Sequence, residues 1–183
     1  MIDSGEPETL VYIGIGSNIE PERNIPRALE LLAEKVDLRA VSPFYRSAAV
    51  GPPGQPDFLN GVCRIATTLG ARALKNDVLR AVEAALGRVR GADKYAPRTI
   101  DLDILLYGAE VYDEEDLRIP DPDIRTRPFV AVPLLAVAPG AVLADTGECV
   151  IDLPVAHREE GLEVDMGFSE KLLERFQNER QAR

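Results

Sequence analysis

TIDLDILLYG, residues 99–108, alternates apolar and acidic side chains with the two-residue period of a β-strand. In an extended chain Ile100, Leu102 and Ile104 fall on one face and Asp101 and Asp103 on the other. It is the last of four strong strand candidates. The first, LVYIGI at residues 10–15, is a short apolar run closed by Gly16. Ile25, Ala28, Leu29, Leu32 and Val36 then recur at helical spacing, with Asn24 as N-cap and Pro26 in the first turn. Leu38 to Arg46 and Phe58 to Thr68 are rich in strand formers and flank the stiff loop GPPGQP, residues 51–56. From Ala71 to Arg88, Leu74, Val78, Leu79, Val82 and Leu86 mark a second helix, which Gly87 helps to end.

The order strand, helix, strand, strand, helix, strand predicts an α+β protein with a ferredoxin-like (βαββαβ) core, a mainly antiparallel sheet with helices packed on it. A hairpin around Gly108, a helix near Phe129 to Val137 and a last strand near Cys149 to Leu153 would decorate it. The chain of 183 residues suits one domain, read as residues 1–155, with a charged tail at 156–183 that is helical in part. Phe168, Leu172, Leu173 and Phe176 share one side of that helix. The helix docks on its own domain, or alternatively meets a partner.

Composition excludes several classes. Hydrophobic residues at 45% and charged residues at 28% describe a globular chain, and no apolar run is long enough to cross a bilayer. The start, MIDSGEPETL, lacks the pattern of a secretory signal, so the expected location is cytoplasmic. Cys63 and Cys149 have no partner at metal-ligand spacing and read as reduced core residues. His157 is the only histidine and has no nucleophile motif pointing to it, so any catalysis runs without histidine. A net charge of −10 argues against a general nucleic-acid binder.

The chemistry gathers around the last strand. Asp101 and Asp103, with Cα atoms about 6–7 Å apart, are spaced to share a pair of divalent ions about 3.5–4 Å apart. Mg²⁺ with bound phosphates is the natural occupant, although two aspartates alone are more often a solvated face. Arg88, Arg90, Lys94 and Arg98 precede them closely, placing phosphate-binding cations beside metal-binding anions. The loop through Gly91 and Ala92 could close over a nucleotide as a lid. Gly14, Gly16, Ser17 and Asn18 lack the residues of a P-loop or dinucleotide motif and are explained by turn chemistry.

KYAPRTIDLDILL, residues 94–106, resembles the signature of the 6-hydroxymethyl-7,8-dihydropterin pyrophosphokinase family. YIGIGSN, VSPFYRSAAVGPPGQPDFLNGV, EAALGRVRGADKYAPRTIDLDILLYG and IPDPDIRTRPFVAVPLLAVAP agree with it in order, over residues 10–153. The resemblance implies transfer of pyrophosphate from ATP to the pterin's hydroxymethyl group in folate synthesis. By it, Asp101 and Asp103 hold two Mg²⁺ ions, and Arg88 and Arg98 bind phosphate oxygens as charge builds. Glu83, Ile104, Asp121 and Arg127 join the nucleotide set, with Arg127 a further phosphate contact. Phe58 and Phe129 sandwich the pterin ring, Asn60 bonds its amide-like edge, and the backbone near Ser47 and Val50 completes the pocket. Tyr95 stands where the family often has tryptophan, as a lid over both substrates.

One departure is visible. Where the family reads proline, histidine, any residue, aspartate, this chain reads Pro120, Asp121, Pro122, Asp123. Activity is still expected, because the metal ligands and both phenylalanines remain. The expected partners are ATP and the pterin, with no nucleic acid and no membrane, and the chain is expected to be a monomer. The alternatives are a catalytically weakened pterin- or nucleotide-binding relative, a regulatory module with an incidental acidic strand, and another two-metal phosphotransferase.

Overall fold

The computed structural model describes residues 7–51, 53–89, 91 and 96–181. Five strands pair along the main sheet in the order β5 (Asp101–Tyr107), β1 (Thr9–Ser17), β4 (Phe58–Thr67), β3 (Tyr45–Ser47) and β8 (Leu162–Val164). A sixth, β2 (Asp37–Val41), also pairs with β4. Every pairing is antiparallel. The architecture is therefore α+β with a mainly antiparallel sheet.

Helices cover both faces. On one lie α1 (Pro21–Ala33) and a rod that runs from α2 (Ala71–Ala73) through a π-helical stretch, Leu74–Leu79, into α3 (Arg80–Ala85). Val11, Ile13, Ile15, Leu59, Cys63, Ile65, Leu102 and Ile104 meet Ile25, Leu29, Leu32, Leu74 and Val82 there in one core. Each such side chain contributes about 1.5–3 kcal/mol when fully buried. Against the other face α4 (Pro128–Val137) packs Ala131 and Leu134 on Val62, Leu105 and Leu106. Leu105 and Leu106 both reach this second core because the β1–β5 register shifts between Tyr12 and Ile13, leaving Leu105 without a partner. Asp101 and Asp103 stand on the α4 side, opposite buried Leu102 and Ile104.

Four expectations need correction. The first helix begins at Pro21, which suits a first helical position; Asn24 lies inside it and donates from Nδ2 to Ile19 O at 2.7 Å. The strand expected over 38–46 breaks in two at Ser42–Phe44, where Pro43 has no N–H to give a ladder. The hairpin is β6 (Tyr112–Glu114) with β7 (Leu117–Ile119), and Gly108, at φ 52°, ends β5 instead. No strand forms at Cys149–Leu153; Val150–Asp152 is a 3-10 turn running into Pro154, and only an isolated bridge joins Val142 to Cys149. The tail does fold back: α5 (Met166–Gln181) lays Phe168, Leu172, Leu173 and Phe176 on the first core.

Candidate active site

Two adjoining cavities open on the α4 side of the sheet. The larger, of about 190 Å³, is lined by Ser47, Ala48, Val50, Phe58, Asn60, Ala96, Arg98, Asp123, Arg127 and Phe129. The smaller, of about 90 Å³, is walled by Gly14, Gly16, Asp101, Asp103, Asp121 and Asp123. They share Phe58, Asn60, Asp123 and Phe129. An aromatic, amide-bearing pocket thus opens beside an acidic cleft.

Strand register places most of these groups. β4 carries Phe58 and Asn60 on one face, two residues apart, and Gly16 of β1 lies opposite Asn60. A side chain at Gly16 would put Cβ 3.1 Å from Asn60 Oδ1, so glycine there keeps the seam open. Asn60 is buried, donates from Nδ2 to Ser47 Oγ at 2.9 Å and lines both cavities. Phe129 enters at the start of α4, immediately after Pro128 in the first turn.

Arg98 is held by the turn after β1. Asn18 Oδ1 accepts from Arg98 N–H at 2.7 Å, while Asn18 and Ile19 N–H donate to Arg98 O at 3.1 and 3.2 Å. Ser17 Oγ donates to Thr99 O at 2.7 Å, and Asn18 Nδ2 to Pro56 O at 3.2 Å. What sequence reading assigns to turn chemistry is thus a clamp on the loop before Asp101. No pattern in the sequence gives this away, because the bonds span about eighty residues.

Asp101 is paired with both Arg88 and Arg98. Arg88 also meets Glu83, whose side chain is 2% exposed and accepts from Leu102 N–H at 3.0 Å. Glu83 therefore stands between the rod and β5, fixing Arg88 and the strand together rather than facing the cleft. Asp103 is open to the cleft but crowded by protein atoms. Loss of hydration, then the charges of Asp101, Asp121 and Glu83, push its carboxyl up to about 7. Water in the cleft screens part of that repulsion. Burial likewise lifts Asp121 to about 6, against the opposing effect of a hydrogen bond from Asp123 N–H to its Oδ1 at 2.8 Å.

That bond makes Asp121 the N-cap of the 3-10 turn Pro122–Arg125. Asp121 N–H donates to Leu105 O at 2.9 Å, which ties the turn to β5. Arg127 lines the aromatic cavity and pairs loosely with Asp123 at 3.8 Å. Val50 is 40% exposed at its mouth. Ile104 points into the first core, yet borders a third cavity of about 310 Å³ that shares Asp103, Asp121 and Asp123 with the acidic cleft. Lys75, Leu117 and Arg118 also line it, and sequence reading misses all three. Lys75 sits in the π-helical stretch, an irregularity that sequence does not announce. Arg90, Ala92, Lys94 and Tyr95 lie outside the described residues.

The donor set suits a hard cation. Carboxylate oxygens of Asp101 and Asp103 face one cleft, and the elevated Asp103 marks a place where positive charge is wanted. Among the described residues no group of three His, Cys, Asp or Glu is arranged to enclose a metal. Mg²⁺ commonly takes one or two carboxylates and fills its remaining positions with water and phosphate.

Comparison with known proteins adds a separate line. The family described as 7,8-dihydro-6-hydroxymethylpterin-pyrophosphokinase matches residues 12–139. The chain is 41% identical over 156 residues to the 2-amino-4-hydroxy-6-hydroxymethyldihydropteridine pyrophosphokinase of Pseudomonas aeruginosa, covering 84% of this chain and 94% of that protein. It is 41% identical over 138 residues to the Haemophilus influenzae protein of the same name, 74% of this chain and 85% of that one. The folic acid synthesis protein fol1 of Schizosaccharomyces pombe is 39% identical over 136 residues, which is 73% of this chain and 18% of that protein.

Proposed function

The chain belongs to the 7,8-dihydro-6-hydroxymethylpterin-pyrophosphokinase family, enzymes that move pyrophosphate from ATP to hydroxymethyldihydropterin in folate synthesis, and from that premise we propose how its residues divide the work. The aromatic cavity takes the pterin, with Phe58 and Phe129 against the ring faces and Asn60 at its polar edge. The acidic cleft takes the phosphates, and the third cavity, with Lys75, Leu117, Arg118 and Ile104, takes the nucleoside end. One observation supports this division above others: the pterin and phosphate cavities share Phe58, Asn60, Asp123 and Phe129, so bound substrates meet at a common wall.

Asp101 and Asp103 would hold two Mg²⁺ ions, which would supply positive charge against the phosphates. The substrate's hydroxymethyl oxygen attacks the β-phosphorus and loses its proton, while the bond from that phosphorus to the α-phosphate's bridging oxygen breaks and AMP leaves. No protein nucleophile is required; the chain supplies alignment, charge and exclusion of water. Arg98, at the wall of the pterin cavity and paired with Asp101, is placed to exchange its carboxylate for phosphate oxygens. Arg88 stays behind, locked by buried Glu83. Arg127 reaches the phosphates from the far wall, and Asp121, beside Lys75, borders both the phosphate and nucleoside cavities.

The strand order β5–β1–β4 with β2 and β3 beyond supports the ferredoxin-like reading, the second strand being split in two. No helix among the described residues is long and apolar enough to cross a membrane, and free Cys63 and Cys149 fit a reducing, cytoplasmic setting. The test is product analysis with ATP and the hydroxymethyl pterin, with and without Mg²⁺. AMP and pterin diphosphate formed only with the metal are expected. ADP would point to ordinary phosphoryl transfer, and MgATP binding without AMP would make this a binding relative.

A further inference from the structure

The match to the family ends at residue 139, yet the chain after it returns to the pterin cavity from behind. β3 is only three residues long and carries Ser47 to Asn60 on β4. With β4 alone as neighbour it would be an edge strand of three residue pairs, a ladder that opens easily. β8 supplies the other neighbour, pairing Tyr45 with Val164, Arg46 with Glu163 and Ser47 with Leu162.

Other fastenings follow within a few residues. Phe44 N–H donates to Ser169 Oγ at 2.9 Å, and Asp165 N–H donates to Phe44 O at 2.9 Å. Arg46 grips Asp165 Oδ2 from Nε at 3.0 Å and from Nη2 at 2.7 Å, and Glu22 of α1 from Nη2 at 2.8 Å. Asp165 Oδ1 accepts from Phe168 N–H at 3.0 Å, so one carboxylate both starts α5 and anchors β3. The Phe168 and Phe44 rings meet edge to face at 5.4 Å. These bonds converge on Phe44–Ser47, and β3 registers Tyr45 with Asn60 and Ser47 with Phe58. Asp101 and Asp103 lie on β5, at the opposite edge of the sheet.

We propose that residues 162–176 brace the pterin cavity, with Asp165 and Ser169 as positioning residues that hold Phe44–Ser47 and so fix Asn60 and Phe58 for the ring. The inference rests on the assignment of that cavity to the pterin. Because the brace reaches the edge of the sheet beside the pterin cavity while Asp101 and Asp103 stand on β5 at the other, it sets pterin affinity more strongly than ATP affinity.

The experiment compares Asp165→Ala, Ser169→Ala and Arg46→Ala with the full chain, by steady-state kinetics in both substrates and by hydrogen exchange at residues 44–47. The expected result is a rise of about five- to tenfold in the pterin KM, with kcat and the ATP KM within about twofold, and faster exchange at those amides. Arg46→Ala combined with Asp165→Ala should cost less than the sum of the two single variants, because each alone already loses the shared ion pair, while only Arg46→Ala releases Glu22 and only Asp165→Ala releases Phe168 N–H. Asp165→Asn keeps one acceptor oxygen, enough for Phe168 N–H or for Arg46 but not for both, and should recover only part of the affinity. Phe129→Ala distinguishes the brace from the cavity assignment. If it raises the pterin KM while Asp165→Ala does not, the brace is refuted and the cavity assignment stands; if neither does, both fall. An equal rise in the ATP KM would also overturn the brace, since it would report general loosening.

Discussion

Asp103 is the residue on which the acidic cleft turns. Its carboxyl is lifted to about 7 by lost hydration and by Asp101, Asp121 and Glu83, so without a cation it is an unfavourable feature of the folded chain. Asp103→Asn should therefore lower turnover by about 10²–10³-fold, the scale on which a single charge-stabilising group acts. The same change should raise the melting temperature measured without Mg²⁺, because it removes a repelled charge. Near-normal turnover would remove the metal role, and a lower melting temperature would contradict the crowding. The pairing of Asp101 with Asp103 on one face could be read from sequence, since alternation along a strand is a local property. The captivity of Asp101 between Arg88 and Arg98, and the capping role of Asp121, could not. Both depend on which segments the fold brings alongside β5.

Among the elements, β4 shows how a missing side chain shapes a site. Gly61 lies between Asn60 and Val62, and a Cβ there would come within 2.6 Å of the ring of Phe44, which is fully buried. The ring has nowhere to move, so Gly61→Ala should cost roughly 1–3 kcal/mol. A lower midpoint in urea with an unchanged slope would report this, and an unchanged midpoint would show that Phe44 can retreat. Phe44 in turn carries the contact with Phe168, which links this glycine to the tail. In sequence, Gly61 is one unremarked residue of a strand-forming run. The break at Pro43 was equally available there, because proline cannot donate to a ladder, but strand propensity over 38–46 hid it. Cys149–Leu153 failed for the opposite reason: its apolar residues suit a strand, but no long neighbour lies beside it to complete a ladder.

For the molecule as a whole, the signs of the carboxylate shifts predict how stability follows pH. Asp103 and Asp121 have folded values of about 7 and about 6, against an ordinary 3.8. Between those limits the folded state holds more protons than the unfolded chain, so their contribution is complete at low pH and is lost as pH rises toward 7. Asp165, Glu22 and Asp145 shift the other way: backbone hydrogen bonding at Asp165 and arginine partners at the other two hold them low. What they contribute is present above the ordinary carboxylate range and is lost only on acidification. In EDTA the melting temperature should therefore decline from about pH 5 to about pH 7.5, and Mg²⁺ should raise it more at the upper end. A flat profile with no metal effect would remove the crowded-cleft account.

Period alone set the strand bearing Asp101 and Asp103, the two long helical segments before it and the helix at α4. These are local or additive properties, and the chain states them wherever it is cut. Only the tertiary structure decided that Ser17 and Asn18 clamp Arg98, that Lys75 and Arg118 border the cavity beside Asp103 and Asp121, and that the tail backs the strand beside Asn60. Those contacts join residues dozens of positions apart, and such pairs exist only after register and packing bring them together.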